Sequence, residues 1–91
     1  MNPTMSNAKV TVYTMQNCPY CERAKNLLKS KGVAYDEVKV PMEDDAQWAA
    51  LEKRSGMKTM PQIFAGEKLI GGYQDLAELD QKGGLVELKS G

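Results

Sequence analysis

The residues best suited to chemistry are Cys18 and Cys21, the only two cysteines in the chain, set two residues apart in Cys18-Pro19-Tyr20-Cys21. A pair at this spacing can cycle between two thiols and a disulfide. The reactive form of a cysteine is its thiolate. A free thiol titrates near ~8.5, whereas a CxxC cysteine at a helix N-terminus can fall to roughly 3.5–7.5. Cys18 follows the β-branched run Val10-Thr11-Val12-Tyr13 and precedes a stretch with helical spacing, so unpaired N–H groups would favour an anionic sulfur there. Cys18 is therefore expected to attack. Cys21, inside the first helical turn and facing more of the core, is expected to resolve a mixed disulfide formed at Cys18. Arg23 and Lys25 either add positive potential or are simply solvated.

The same spacing occurs in metal sites. A tetrahedral structural zinc needs four ligands, and this chain has two cysteines and no histidine. Only a dimer or an outside thiol could complete such a site, so no metal is expected. Attachment of c-type haem needs a histidine where Glu22 stands. The lack of histidine also removes the imidazole general base and the Cys–His nucleophile pair.

Two further features accompany the cysteines. Pro61, after Thr59-Met60, reads either as a trans proline opening a strand or as a cis Met60–Pro61 bond at a tight turn. In the second case the Met60 N–H and C=O would face outward, free to pair with an extended peptide. Gly72-Tyr73-Gln74-Asp75 leads into a helix, whose first N–H groups make a ready carboxylate site. Asp75 would then bind an ammonium, or would simply cap the helix. A small peptide with a carboxylate and an ammonium at one end and a thiol in its middle would satisfy all three features. Glutathione is such a molecule.

The elements that must hold these residues are legible in the apolar spacing. A strand is expected over 9–14, with Val10 and Val12 on one face. A helix follows over 22–31, opened by Pro19, carrying Ala24, Leu27, Leu28 and Lys31 at helical spacing and ended by Gly32. A second strand is expected over 33–40, with Val38 and Val40 inward, stopped by Pro41. Glu43, Asp44 and Asp45 mark the first turn of the next helix, with Trp48, Leu51 and one of Ala49 or Ala50 on its inner face and Gly56 at its end. Gln62-Ile63-Phe64-Ala65, a turn at Gly66-Glu67-Lys68 and Leu69-Ile70 read as a hairpin. A helix over 75–81 buries Leu76 and Leu79. After Gly83-Gly84, a last short helix packs Leu85, Val86 and Leu88. The order β-α-β-α-β-β-α predicts an α/β fold: a four-stranded mixed sheet with helices on both faces.

Ninety-one residues make one domain. Twelve basic and twelve acidic residues balance, which points away from nucleic acid and membrane surfaces. No apolar run is long enough to span a bilayer, and no basic-then-apolar export signal opens the chain. A reducing cytoplasmic setting is expected, with residues 1–8 a loose leader and 9–91 the folded domain.

On Cys18-Pro19-Tyr20-Cys21, Thr59-Met60-Pro61, Gln62-Ile63-Phe64 and Gly71-Gly72 followed by Asp75-Leu76, the chain resembles the glutaredoxin family, from about Lys9 to the C-terminus. The resemblance implies a thioredoxin-like fold and glutathione-dependent reduction of protein disulfides and protein–glutathione mixed disulfides by a monomer. Glutathione would serve as co-substrate, at a couple near the glutaredoxin range of about −200 to −230 mV. It implies Cys18 as nucleophile and Cys21 as resolving thiol. Tyr20 would line the groove, and Thr59, Met60 and a cis Pro61 would border the cysteinyl part of glutathione. Gly72 and the N–H groups of Tyr73 and Gln74 would hold the γ-glutamyl carboxylate, with Asp75 near its ammonium. Two departures stand out. Many members carry a lysine where this chain has Met15, and a glutamine or arginine where it has Trp48, both near the glycyl carboxylate. Lys58 compensates in part, and weaker recognition of the glycyl end is expected. Other roles for such a chain are a glutathione-ligated iron–sulfur carrier, marked by visible absorption, and a thioredoxin-type reductant, marked by its reducing system.

Overall fold

Alternating β-branched residues put Val10-Thr11-Val12-Tyr13-Thr14 at the centre of the molecule as β1 (Val10–Thr14), a strand whose even-numbered members are buried. The structure, a computed structural model, describes residues 9–85. The leader expected over 1–8, together with Val86 and Leu88, lies outside the described residues. After β1 come α1 (Pro19–Ser30), β2 (Tyr35–Lys39), α2 (Asp45–Ser55), β3 (Gln62–Ala65), β4 (Lys68–Gly71) and α3 (Tyr73–Gln81). The sheet order is β2-β1-β3-β4. β1 pairs parallel to β2 and antiparallel to β3, with Val12 opposite Ile63 and Val10 opposite Ala65, and β3 pairs antiparallel to β4. The mixed four-stranded sheet with helices on both faces is thus the one the element order predicts.

Each sheet face builds its own core. Val10, Val12, Ile63 and Ala65 pack with Ala24 and Leu28 of α1, Leu76 of α3, Val33 and Leu85. On the other face Phe64, Val40 and Met60 pack with Leu51 of α2 and with Cys18 and Cys21.

Helix ends follow local chemistry. Gly32, at φ 72°, closes α1: its N–H donates to the Lys29 carbonyl at 3.1 Å, and the Val33 N–H donates to the Leu28 carbonyl at 2.9 Å. That cap takes Val33 out of the ladder, so β2 begins at Tyr35 and ends at Lys39, inside the expected 33–40 span. Val40 is fully buried, whereas Val38 is half-buried on this edge strand. The Asp44 carboxylate accepts the Gln47 N–H at 3.0 Å as N-cap of α2, leaving Glu43 outside the helix and Asp45 in its first turn. Ala49 and Ala50 are both exposed, correcting their placement on the inner face. α2 covers the sheet with a narrow stripe of Trp48 and Leu51.

Candidate active site

The turn from β1 into α1 sets the site. Asn17 takes the left-handed conformation (φ 59°), which asparagine tolerates better than most residues, and reverses the chain before Cys18. Cys18 is the N-cap of α1, Pro19 opens the helix, and the Cys18 Sγ accepts the Cys21 N–H at 3.2 Å. The sulfur thus replaces the oxygen of a usual capping side chain, and a donor that belongs to the helix end points at it. A thiolate at this position gains both the hydrogen bond and the positive end of the helix dipole. Cys18 and Cys21 are joined in a disulfide, with Cα atoms 5.2 Å apart. The two sulfurs differ in access. Cys21 is 1% exposed; Cys18 is 8% exposed and borders the cavity walled by Met15, Trp48 and Tyr20.

The Met60–Pro61 bond is cis, resolving the choice left open by the sequence. The Met60 carbonyl oxygen lies 3.8 Å from Cys18 Sγ, so this loop forms the wall opposite the helix start. The loop is fastened from below by Gln62, which is fully buried and donates its side-chain N–H groups to the carbonyls of Met57 and Thr59, each at 3.2 Å. Sequence reasoning placed Gln62 in a strand and among the residues that carry the family resemblance, but gave it no role at the site. A polar side chain in an otherwise apolar strand was the available signal, since such a residue needs buried partners.

Beyond Met60 a second concavity is lined by Tyr20, Thr59, Met60, Pro61, Gly72, Tyr73, Gln74 and Asp75. Every non-cysteine site residue expected from the sequence meets here. Met57 joins them and was missed, because it precedes the recognisable Thr59-Met60-Pro61 and carries no polar signal. α3 starts at Tyr73, two residues before the expected Asp75, because Asp75 is its third residue and reaches back to accept the Gly72 N–H at 3.0 Å. Gly71, at φ 126°, must be glycine: a Cβ there would run into the Asp75 carboxyl. Helix capping is therefore established for one Asp75 oxygen.

The charges resolve unevenly. Lys25 is engaged by carboxylates: its ammonium is held at 3.0 Å by both Glu22 and Glu37, which raises its pKa above the ordinary lysine value. Glu37 is held below the ordinary carboxylate value, chiefly by the Thr14 hydroxyl, which donates at 2.8 Å, and then by Lys25. The Arg23 guanidinium lies 5.2 Å from the centre of the Tyr20 ring. Among the described residues no group of three or more histidine, cysteine, aspartate or glutamate side chains is placed to hold a metal ion.

Comparison with known proteins gives a consistent result. The glutaredoxin family model matches residues 10–70. The chain is 49% identical over 82 residues to glutaredoxin 3 of Escherichia coli K12, covering 89% of this chain and 96% of that protein. It is 47% identical over 77 residues to a glutaredoxin of Neisseria meningitidis serogroup A, covering 84% and 89%. Among solved structures, a buckwheat glutaredoxin–glutathione complex superposes with a TM-score of 0.83 at 32% identity, covering 94% of this chain and 80% of that one.

Proposed function

The chain belongs to the glutaredoxin family, and on that premise we propose how its residues share the work. It is a glutathione-dependent thiol–disulfide oxidoreductase. The Cys18 thiolate attacks the glutathionyl sulfur of a protein–glutathione mixed disulfide. A Cys18–glutathione disulfide forms, and the protein thiolate leaves with the electron pair of the broken bond. A second glutathione thiolate then attacks the bound glutathionyl sulfur, giving glutathione disulfide and restoring the Cys18 thiolate. With a protein disulfide, Cys18 first forms a mixed disulfide to the protein. Cys21 then attacks the Cys18 sulfur, releasing the reduced protein and leaving the Cys18–Cys21 disulfide. Two glutathiones reduce that disulfide.

The single observation that carries this division of labour is the difference in access: Cys18 caps α1 at the edge of the concavities, while Cys21 is sealed beneath it. Glutathione lies across the Met60 backbone beside Pro61 and Thr59. Its γ-glutamyl carboxylate sits at the N–H groups of Tyr73 and Gln74, its ammonium sits near the Asp75 oxygen not used in capping, and the Tyr20 ring forms a flank. The geometry supporting this is the meeting of those residues in one concavity. The enzyme acts as a monomer on disulfide-containing and glutathionylated proteins in the cytoplasm. No helix among the described residues is long and apolar enough to cross a membrane.

The test is a coupled assay with glutathione, glutathione reductase and a small mixed-disulfide substrate. Turnover is expected with the parent chain and with Cys21→Ser, and none above background with Cys18→Ser. Equal behaviour of the two variants would refute the assignment.

A further inference from the structure

Two concavities meet at Met60, and their chemistry differs. One ends on the open N–H groups of α3 and the Asp75 carboxylate; the other, which holds Cys18, is walled by Met15 and Trp48. We infer that the second concavity is a mainly apolar subsite for the C-terminal residue of a γ-glutamyl-cysteinyl thiol, with Met15 and Trp48 as the walls that offer a free carboxylate no partner. The inference rests on the glutathione reading above. A γ-glutamyl end at the α3 N-terminus and a sulfur bonded to Cys18 fix the direction of the peptide across Met60, and its third residue continues into the Met15–Trp48 cavity.

A carboxylate entering this cavity gives up hydration and meets little in return. Met15 offers no donor. The Trp48 indole N–H is already spent on the Pro41 carbonyl at 2.9 Å. Lys58, the one cation lining the cavity, is 79% exposed and lies 3.8 Å from the Glu52 carboxylate, so its charge is both solvated and shared. Asn17, Thr59 and Tyr20, the remaining polar side chains, are open to water. An uncharged third residue loses nothing by comparison, and its apolar atoms gain contact with Met15 and Trp48.

The experiment measures the second-order rate of Cys18 attack on three disulfides of one chromogenic aryl thiol: with glutathione, with glutathione carrying a glycyl ethyl ester, and with cysteine. In each, the thiolate of Cys18 bonds to the aliphatic sulfur and the aryl thiolate leaves with the electron pair of the cleaved bond, so one disulfide replaces another. In the parent chain the ester is expected to react at least as fast as glutathione. Met15→Lys and, separately, Trp48→Gln are each expected to shift the ratio about tenfold toward glutathione, the size of one charge-assisted hydrogen bond. Met15→Leu, which keeps an apolar wall, should leave the ratio unchanged. A tenfold preference of the parent for glutathione over its ester would overturn the inference, as would a ratio that neither polar variant moves. If both γ-glutamyl disulfides react no faster than the cysteine disulfide, the glutathione reading itself fails, and this inference falls with it.

Discussion

The two faces of one sheet are built for different ends. Under α1 and α3 lie Val10, Val12, Ala24, Leu28, Val33, Ile63, Ala65, Leu76 and Leu85, an aliphatic layer with no reactive group in it, rimmed by the partly buried Leu27, Tyr35, Ile70, Tyr73 and Leu79. Under α2 lie both cysteines, Met60, Phe64, Val40 and Leu51, with Tyr13, Met15, Trp48 and Leu69 only partly covered. A single narrow helix screens this second face, and its last turn adds Arg54, the guanidinium 4.4 Å from the Phe64 ring centre. The difference lies in what each layer holds: aliphatic side chains alone on one face, and on the other the sulfurs, set beside a cavity that a substrate can enter. β1 and β3 serve both faces at once, because successive residues of a strand point to opposite sides.

The largest effect that can break this comparison is on activity. Cys18→Ser should reduce deglutathionylation to the uncatalysed background, and Cys21→Ser should stay within about tenfold of the parent, because only the dithiol route needs the second sulfur. The measurement is turnover on a glutathionylated peptide. If Cys21→Ser were as inert as Cys18→Ser, the open face would owe its function to the pair and not to the accessible sulfur.

Next is stability. Leu28→Ala empties space in the aliphatic face, where neighbours are fixed on all sides, and should cost about 4 kcal/mol. Leu51→Ala, equally buried but beneath the thin cover of α2, should cost about 2 kcal/mol, since partly exposed Trp48 and Met15 can shift toward the gap. Denaturant unfolding of the two variants at one pH decides the matter, and equal losses would remove the distinction between the faces.

The same contrast explains what could be read from the sequence. Much of the aliphatic face was legible: period-two spacing in Val10 and Val12, helical spacing in Ala24 and Leu28, and Leu76 in α3 all announced burial, whereas Val33, read as the start of a strand, is buried by the cap that ends α1. The site was legible where chemistry restricts residue type, as in the CxxC pair, the proline after Met60 and the glycines before α3. Legibility was poorer where geometry, not composition, decides. Ala49 and Ala50 suit either side of a helix, so nothing in their type shows that α2 turns them to solvent. Gln62 looks like any polar residue until the fold buries it under the Met57 and Thr59 carbonyls. The start of α3 depends on a back-reaching hydrogen bond from Asp75, which spacing alone does not reveal. Asp75→Ala should accordingly cost about 1 kcal/mol of stability through lost capping, and it should also raise the glutathione KM. A variant with unchanged KM would confine Asp75 to the cap.

The smallest effect separates the two polar contacts at the margins of the faces. Arg54 over Phe64 lies at the surface and the Thr14–Glu37–Lys25 group is part-buried; each is worth roughly 0.2–1 kcal/mol. They differ in pH dependence. Glu37 has its folded pKa depressed below the ordinary 4.5, so its contribution is fully present above that value and is lost as pH falls through the lower, folded value. Glu37→Gln should therefore be less stable than the parent at pH 7, and the gap should close as the solution is acidified below about 4.5. Arg54→Ala should show a deficit of similar size that stays constant over the same range, because its contact with the Phe64 ring involves no carboxylate. Thermal unfolding of the three proteins between pH 7 and 3 distinguishes the two behaviours. A Glu37→Gln gap that persisted at the acid end would mean that the side chain is held by packing against β1 and α1, and not by its charge.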